Sequence, residues 1–198
     1  MADITLEQIN KLRTRTGLGM MDCKKALIAA QGDIEKAVEE LRKKGAAIAH
    51  SRADRNTSEG VIHAYIHPGS RMGVLAEINC ETDFVARTDD MAQFARDLCL
   101  HIAAFKPHYV SAEQVPTDLL EKEREIYRAQ LAPSGKPEKI LAQIVEGKLS
   151  KLYSEICLLD QPFIKDDKRS VREVLGDLMA KTGEKIQIRR FVRYELGA

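Results

Sequence analysis

The sequence predicts an α+β protein, with an N-terminal unit of three short helices followed by a core of a small antiparallel sheet (about three strands) and several helices. Three observations carry this. Over residues 5–45 apolar residues recur at helical spacing, with two glycine-containing breaks. From Val61 the period falls to two over a pair of runs separated by Pro68-Gly69-Ser70-Arg71. Long helical patterns then fill the chain until a last strand-like run at Glu184–Tyr194. The expected organisation is a helical domain at 1–45, a linker at 46–59 and an α+β core at 60–198.

Each element has its own signals. Thr5 with Gln8 three residues on reads as a capping box, and Leu6, Ile9 and Leu12 share the face that follows. Thr16-Gly17-Leu18-Gly19 breaks that helix. Asp22 is the expected cap of the second helix, which carries Ala26 and Leu27 and stops at Gln31-Gly32. Asp33 caps the third, whose stripe is Ile34, Ala37, Val38 and Leu41 and whose basic end is Arg42-Lys43-Lys44 before Gly45. The stretch from His50 to Glu59 is polar enough to be a tether, and Ala46-Ala47-Ile48-Ala49 before it can extend the third helix. Residues 61–67 and 72–79 form the expected hairpin. Thr88-Asp89-Asp90 opens a helix with Met91, Phe94, Ala95, Leu98, Ile102 and Phe105 on one face. A charged helix runs from Thr117 to about Leu131, with Leu119, Leu120, Ile126, Tyr127 and Leu131 as its apolar positions. Pro133-Ser134-Gly135 interrupts, and Pro137 starts another helix whose buried side runs from Ile140 to Ile156. Residues 160–164 read as extended. Ser170 with Glu173 suggests a further capping box ahead of Val171, Val174, Leu175, Leu178 and Met179.

Composition narrows the function. The 198 residues are 44% hydrophobic, enough for a real core, and 31% charged with a net charge of only +1. Direct binding of nucleic acid or of a membrane surface wants a clear basic excess, and neither is expected. No apolar run reaches membrane-span length, and Met1-Ala2-Asp3-Ile4 lacks the features of a secretory signal. Cys23, Cys80, Cys99 and Cys157 are widely spaced without a CxxC pair, which reads as reduced thiols in a cytoplasmic protein.

Signatures of covalent chemistry are missing. Thr16-Gly17-Leu18-Gly19 follows no strand and lacks the lysine of a phosphate-binding loop. His63 and His67 sit four apart in a strand-like run without a third ligand, so no metal or cofactor is expected. Arg189, Arg190 and Arg193 could meet phosphate, but a solvent-facing strand accounts for them better. Met20 and Met21 stand at a loop-to-helix junction, where flexible apolar side chains suit either a small core or a partner. By pattern alone Asp83 is a turn residue and Phe84 a core residue.

Two long, irregular segments resemble translation elongation factor Ts: Thr16-Gly17-Leu18-Gly19-Met20-Met21-Asp22-Cys23-Lys24-Lys25-Ala26-Leu27 and Asn79-Cys80-Glu81-Thr82-Asp83-Phe84-Val85-Ala86-Arg87. Shorter matches follow in family order at His67–Leu75, Gly135-Lys136-Pro137, Val145-Glu146-Gly147, Asp160–Phe163 and Ile186–Phe191. The resemblance implies a ubiquitin-associated-like bundle and a guanine-nucleotide exchange factor whose partner is elongation factor Tu, with no covalent chemistry. It implies that Thr82, Asp83, Phe84 and Val85 dislodge Mg²⁺ from Tu, and that Met20, Met21, Lys24, His67, Gly69 and Gly183 are further Tu contacts. Longer members carry a duplicated core half and a C-terminal helical module, whereas this sequence has a single core half. It resembles the short form, which implies a homodimer. A tethering adaptor that alters no nucleotide state would explain the bundle but not the core motifs. RNA binding through the three arginines is a further alternative.

Overall fold

A computed structural model describes residues 4–51, 54–134 and 137–197. Gly135 and Lys136, which figured in the expected break and one family match, lie outside the described residues, as do Arg52 and Ala53 of the expected linker. The described chain is mixed helix and sheet, with eight helices and a three-stranded antiparallel sheet, and so bears out the α+β expectation.

The first three helices are α1 (Leu6–Thr16), α2 (Met20–Ala29) and α3 (Ile34–Ser51). The Thr5–Gln8 capping box forms in both directions, and Gly17 closes α1. Asp33 caps α3, its Oδ1 accepting from the Glu35 and Lys36 amides at 2.9 and 3.1 Å. Ile9, Leu12, Cys23, Ala26, Leu27, Ala30, Ala37 and Leu41 form the bundle core. Leu12 and Leu27 are completely buried, and each such side chain contributes about 1.5–3 kcal/mol, which matters in so small a unit. One expectation is corrected. Gly19, not Asp22, is the cap of α2, so Met20 and Met21 are its first helical residues and Asp22 lies inside the first turn. Of the two ends open to the third helix, Gly45 or the alanine-rich stretch beyond it, the helix takes the later and runs to Ser51, because that stretch favours helix.

Strands β1 (Glu59–Ile66) and β2 (Met72–Cys80) are followed by a one-turn helix α4 (Asp83–Ala86) and the long helix α5 (Asp89–Phe105). Then come α6 (Thr117–Leu131) and α7 (Glu138–Ile156), a short hairpin of β3 (Pro162–Phe163) and β4 (Asp166–Ser170), α8 (Val171–Thr182) and β5 (Ile186–Glu195). The main sheet has the order β1-β2-β5, so the last strand does return to the hairpin as expected. On β2 the alternation is clean: Val74, Ala76, Ile78 and Cys80 face inward and Leu75 outward. The extended reading of 160–164 missed the β3–β4 pairing, which joins Pro162 to Ser170 and Phe163 to Asp166. None of the α6 residues is buried, and Ile126 is exposed, although the helix carries an apolar stripe in the sequence.

The chain divides into two compact units. One comprises residues 1–63, 77–95 and 172–189, and the other 64–76, 96–171 and 190–198. No described helix is long and apolar enough to cross a membrane.

Candidate functional site

The Thr82–Val85 segment is built where β2 must hand over to α5. Thr82 is extended, with φ −130° and ψ 157°, and its hydroxyl caps α4 by accepting from the Val85 amide at 3.5 Å. Six residues later Thr88 does the same for α5, accepting from the Met91 amide at 3.2 Å while donating to the Val85 carbonyl at 2.8 Å. A four-residue helix has room for only one inward side chain, and Val85 takes it. Phe84 is left 80% exposed, and the pattern-based assignment of Phe84 to the core is overturned. Asp83 stands beside it, its carboxylate paired with Arg87 at 3.0 Å on the same turn. The tip therefore presents an aromatic ring next to an anionic group.

The base of this turn is polar and tightly bonded. Both Thr82 donors reach the Glu184 carboxylate, the amide at 3.0 Å and the hydroxyl at 2.6 Å. Glu81, one residue earlier, accepts from the Lys185 amide at 2.6 Å and from Arg55 at 2.8 Å. Lys185 returns a bond from its ammonium to the Arg55 carbonyl at 3.0 Å. The Cys80 thiol donates to the Thr82 carbonyl at 3.1 Å. Burial, with the Glu184 carboxylate beside it, pushes that thiol above its ordinary pKa and so keeps it a donor.

Gly183 supplies the approach of the Glu184 loop. It ends α8 in the left-handed region, φ 71°, with its amide bonded to the Met179 carbonyl at 2.9 Å. No atom lies within 4 Å of where its Cβ would be, so the glycine is there for its backbone conformation rather than for space. Gly183 and Thr82–Val85 are thus brought to one place through Glu184. Glu81 and Glu184 were not singled out in the sequence, because a glutamate beside a turn carries no mark of a partner 102 residues away.

The remaining expected contacts fall elsewhere. Met20 and Met21 are 46% and 63% exposed at the start of α2. Lys24 is exposed one turn on, opposite the buried Cys23, Ala26 and Leu27. Ile28, which the sequence reading passed over, is also exposed and prolongs the Met21–Lys24 face by a turn. These residues and 82–85 belong to the first unit, whereas His67 and Gly69 belong to the second. His67 accepts a bond from the Ser70 amide and donates its own amide to the Met72 carbonyl, both at 2.9 Å, which closes the β1–β2 turn. Its ring Nδ1 lies 2.8 Å from the Tyr65 hydroxyl. Gly69 has φ 89°, as that tight turn requires.

Other candidates lose their chemistry. The Arg193 guanidinium donates to the Ala103 carbonyl at 3.2 Å and to Glu195 at 2.8 Å, and Arg189 pairs with Glu77 at 3.5 Å. Arg193 is therefore committed within the fold rather than offered to a nucleic acid. All four cysteines are free and buried, and burial raises the Cys99 thiol to about 11. Among the described residues no group of three or more His, Cys, Asp or Glu is placed to hold a metal ion.

Comparison with known proteins places the chain in a family. The family model for "Elongation factor TS" matches residues 6–198. A protein named Elongation factor Ts from Desulforamulus reducens is 55% identical over 197 residues, covering 100% of this chain and 91% of that relative. Its namesake from Carboxydothermus hydrogenoformans is 57% identical over 194 residues, covering 98% and 89%. That from Moorella thermoacetica is 56% identical over 194 residues, covering 98% and 96%. A match to the family model across nearly the whole sequence, together with relatives of this similarity, means that the chain belongs to the elongation factor Ts family.

Proposed function

We propose that this protein is a guanine-nucleotide exchange factor acting on elongation factor Tu in the cytoplasm during translation elongation, and that it makes and breaks no covalent bond itself. One observation carries the reading: a phenylalanine 80% exposed at the tip of a turn whose base is fixed by hydrogen bonds. A large aromatic side chain left outside on a fixed turn is available as an anchor for a partner's pocket. Thr82, Asp83, Phe84 and Val85 would disturb the Mg²⁺ site of Tu, with Phe84 as the wedge and Asp83 competing for groups that serve the nucleotide. Magnesium neutralises the phosphates, so displacing it loosens GDP. Coupling is reciprocal: a factor that weakens GDP is itself weakened by nucleotide, so it remains bound until GTP arrives and expels it. Met20, Met21 and Lys24 would dock on Tu through the exposed side of α2, and His67, Gly69 and Gly183 would add contacts.

Substoichiometric amounts of the protein are expected to accelerate release of labelled GDP from Tu, and a release rate unchanged by the protein would overturn the reading. Replacing both Asp83 and Phe84 by alanine is expected to slow release more than it weakens docking.

The same reading includes a homodimer. On the outer side of the sheet Ile66, Leu75, Tyr194 and Leu196 are exposed around a 480 Å³ groove. A second copy would cover this apolar face with its own. Light scattering is expected to give twice the chain mass, and a Leu75→Glu variant to give the monomer mass; a monomeric wild type would remove the dimer.

A further inference from the structure

The two loops at the base of the Phe84 turn are joined by a reciprocal exchange. Glu184 takes the backbone amide of Thr82 at 3.0 Å, and Glu81 takes the backbone amide of Lys185 at 2.6 Å. Each loop gives one carboxylate and receives the other's amide, as the two ends of a capping box do within one helix. The Thr82 hydroxyl on Glu184 and the Arg55 guanidinium on Glu81 fill further acceptor positions. The Glu81 side chain is only 15% exposed, so these bonds are sheltered from water. Apolar packing cannot do this work. In the turn itself Val85 alone is buried, and one side chain fixes a position but not a rotation.

We infer that Glu184 and Glu81 are positioning residues for nucleotide exchange: they clamp the Thr82 cap and so hold Asp83 and Phe84 in the orientation in which they meet the partner. This rests on the exchange reading above and goes beyond it by assigning a role to two carboxylates that the reading leaves without one. The clamp fixes the backbone that carries the exposed ring. A wedge that already points outward does not spend binding free energy on being ordered, so that free energy goes into opening the nucleotide site. Because the bonds run through backbone amides, the clamp acts on where the turn sits rather than on its side chains.

The test replaces Glu184 and Glu81 by glutamine, singly and together, and reads two things. In the free protein, amide hydrogen exchange at Thr82 is expected to quicken about tenfold in Glu184→Gln, the size set by losing a bond to a charged acceptor. The Lys185 amide is expected to respond in the same way to Glu81→Gln. With Tu, GDP release at saturation is expected to fall about tenfold with the half-saturating concentration unchanged, as for an interaction needed only in the exchange step. Glu184→Asp, which keeps both acceptor oxygens, should recover part of the loss. Unchanged protection of Thr82 would overturn the clamp. So would a parallel loss of saturation rate, half-saturation and melting temperature, which is the signature of a merely structural contact. The hydrogen-exchange arm needs no partner, so it judges the clamp even if the wild-type protein proved inactive on Tu.

Discussion

Phe84 and Phe163 both follow a short polar stretch, and the fold treats them in opposite ways. Phe84 is 80% exposed on a single helical turn, and Phe163 is 5% exposed on a two-residue strand. Around Phe163 the surroundings are aromatic: its ring lies 6.0 Å from His101, which stacks on Phe105 at 4.6 Å. Around Phe84 the well-defined bonds are polar and lie beneath it, at Thr82, Glu81 and Glu184. One phenylalanine is held by what touches its ring, the other by what holds its backbone. Burial of the ring and fixing of the backbone beneath it are thus separate devices, and this chain uses one for each phenylalanine.

The largest expected effect breaks this comparison if it fails. Phe163→Ala should destabilise by about 3–5 kcal/mol, as large buried aromatics do. Phe84→Ala should change stability by no more than about 0.5 kcal/mol, as substitutions at exposed sites do. Urea midpoints for the two variants check this directly. A Phe84→Ala loss as large as that of Phe163→Ala would mean that the ring packs in solution and is no wedge.

Much of the fold was legible because several local signals agreed. Thr5 with Gln8, Asp33 before Ile34, and Thr88 before Asp89 each marked a helix start, and side-chain oxygens do bond the first-turn amides there. The hairpin and the returning last strand were legible from their period of two. What was missed lacked a period or depended on distant chain. Pro162–Phe163 is too short to alternate, and Asp166–Ser170 has no apolar residue, so no pattern could announce that pairing. The apolar stripe of α6 was real in the sequence, yet the helix packs along α7 without burying any of its residues. Phe84 was misassigned by pattern because hydrophobicity reports a preference for burial, not the absence of an inward position on a four-residue helix. The exposed turn was therefore singled out through family resemblance and not through pattern, and its Glu81–Glu184 support through neither.

A smaller effect sharpens the other side of the comparison, the aromatic knot around His101. Its protonation state follows from its neighbours. The Gln161 amide nitrogen donates to the Glu155 carbonyl at 2.7 Å and lies 3.5 Å from the Phe105 carbonyl, so the Gln161 oxygen is an acceptor. That oxygen is 2.9 Å from His101 Nε2, which must then carry the proton. His101 Nδ1 in turn accepts from the Ile164 amide at 3.3 Å. The ring is neutral, and burial holds its pKa below the ordinary histidine value despite the Gln161 bond. Acid would add a proton at Nδ1, where it meets another donor in a site closed to water. In the unfolded chain the same histidine titrates at about pH 6.5. Below that pH the unfolded state binds more protons than the folded one, so stability falls as pH falls until the lower folded value is passed, and above the unfolded value this group contributes no slope. Urea midpoints taken from about pH 8 to about pH 5 should therefore decline more steeply for the wild type than for His101→Gln, in which the titration is removed. The remaining histidines are common to both proteins, so the difference in slope, not the level, is the measure. Equal slopes would mean that His101 is already protonated or already wet, and the contrast between a ring held by packing and a ring held by its backbone would lose its buried half.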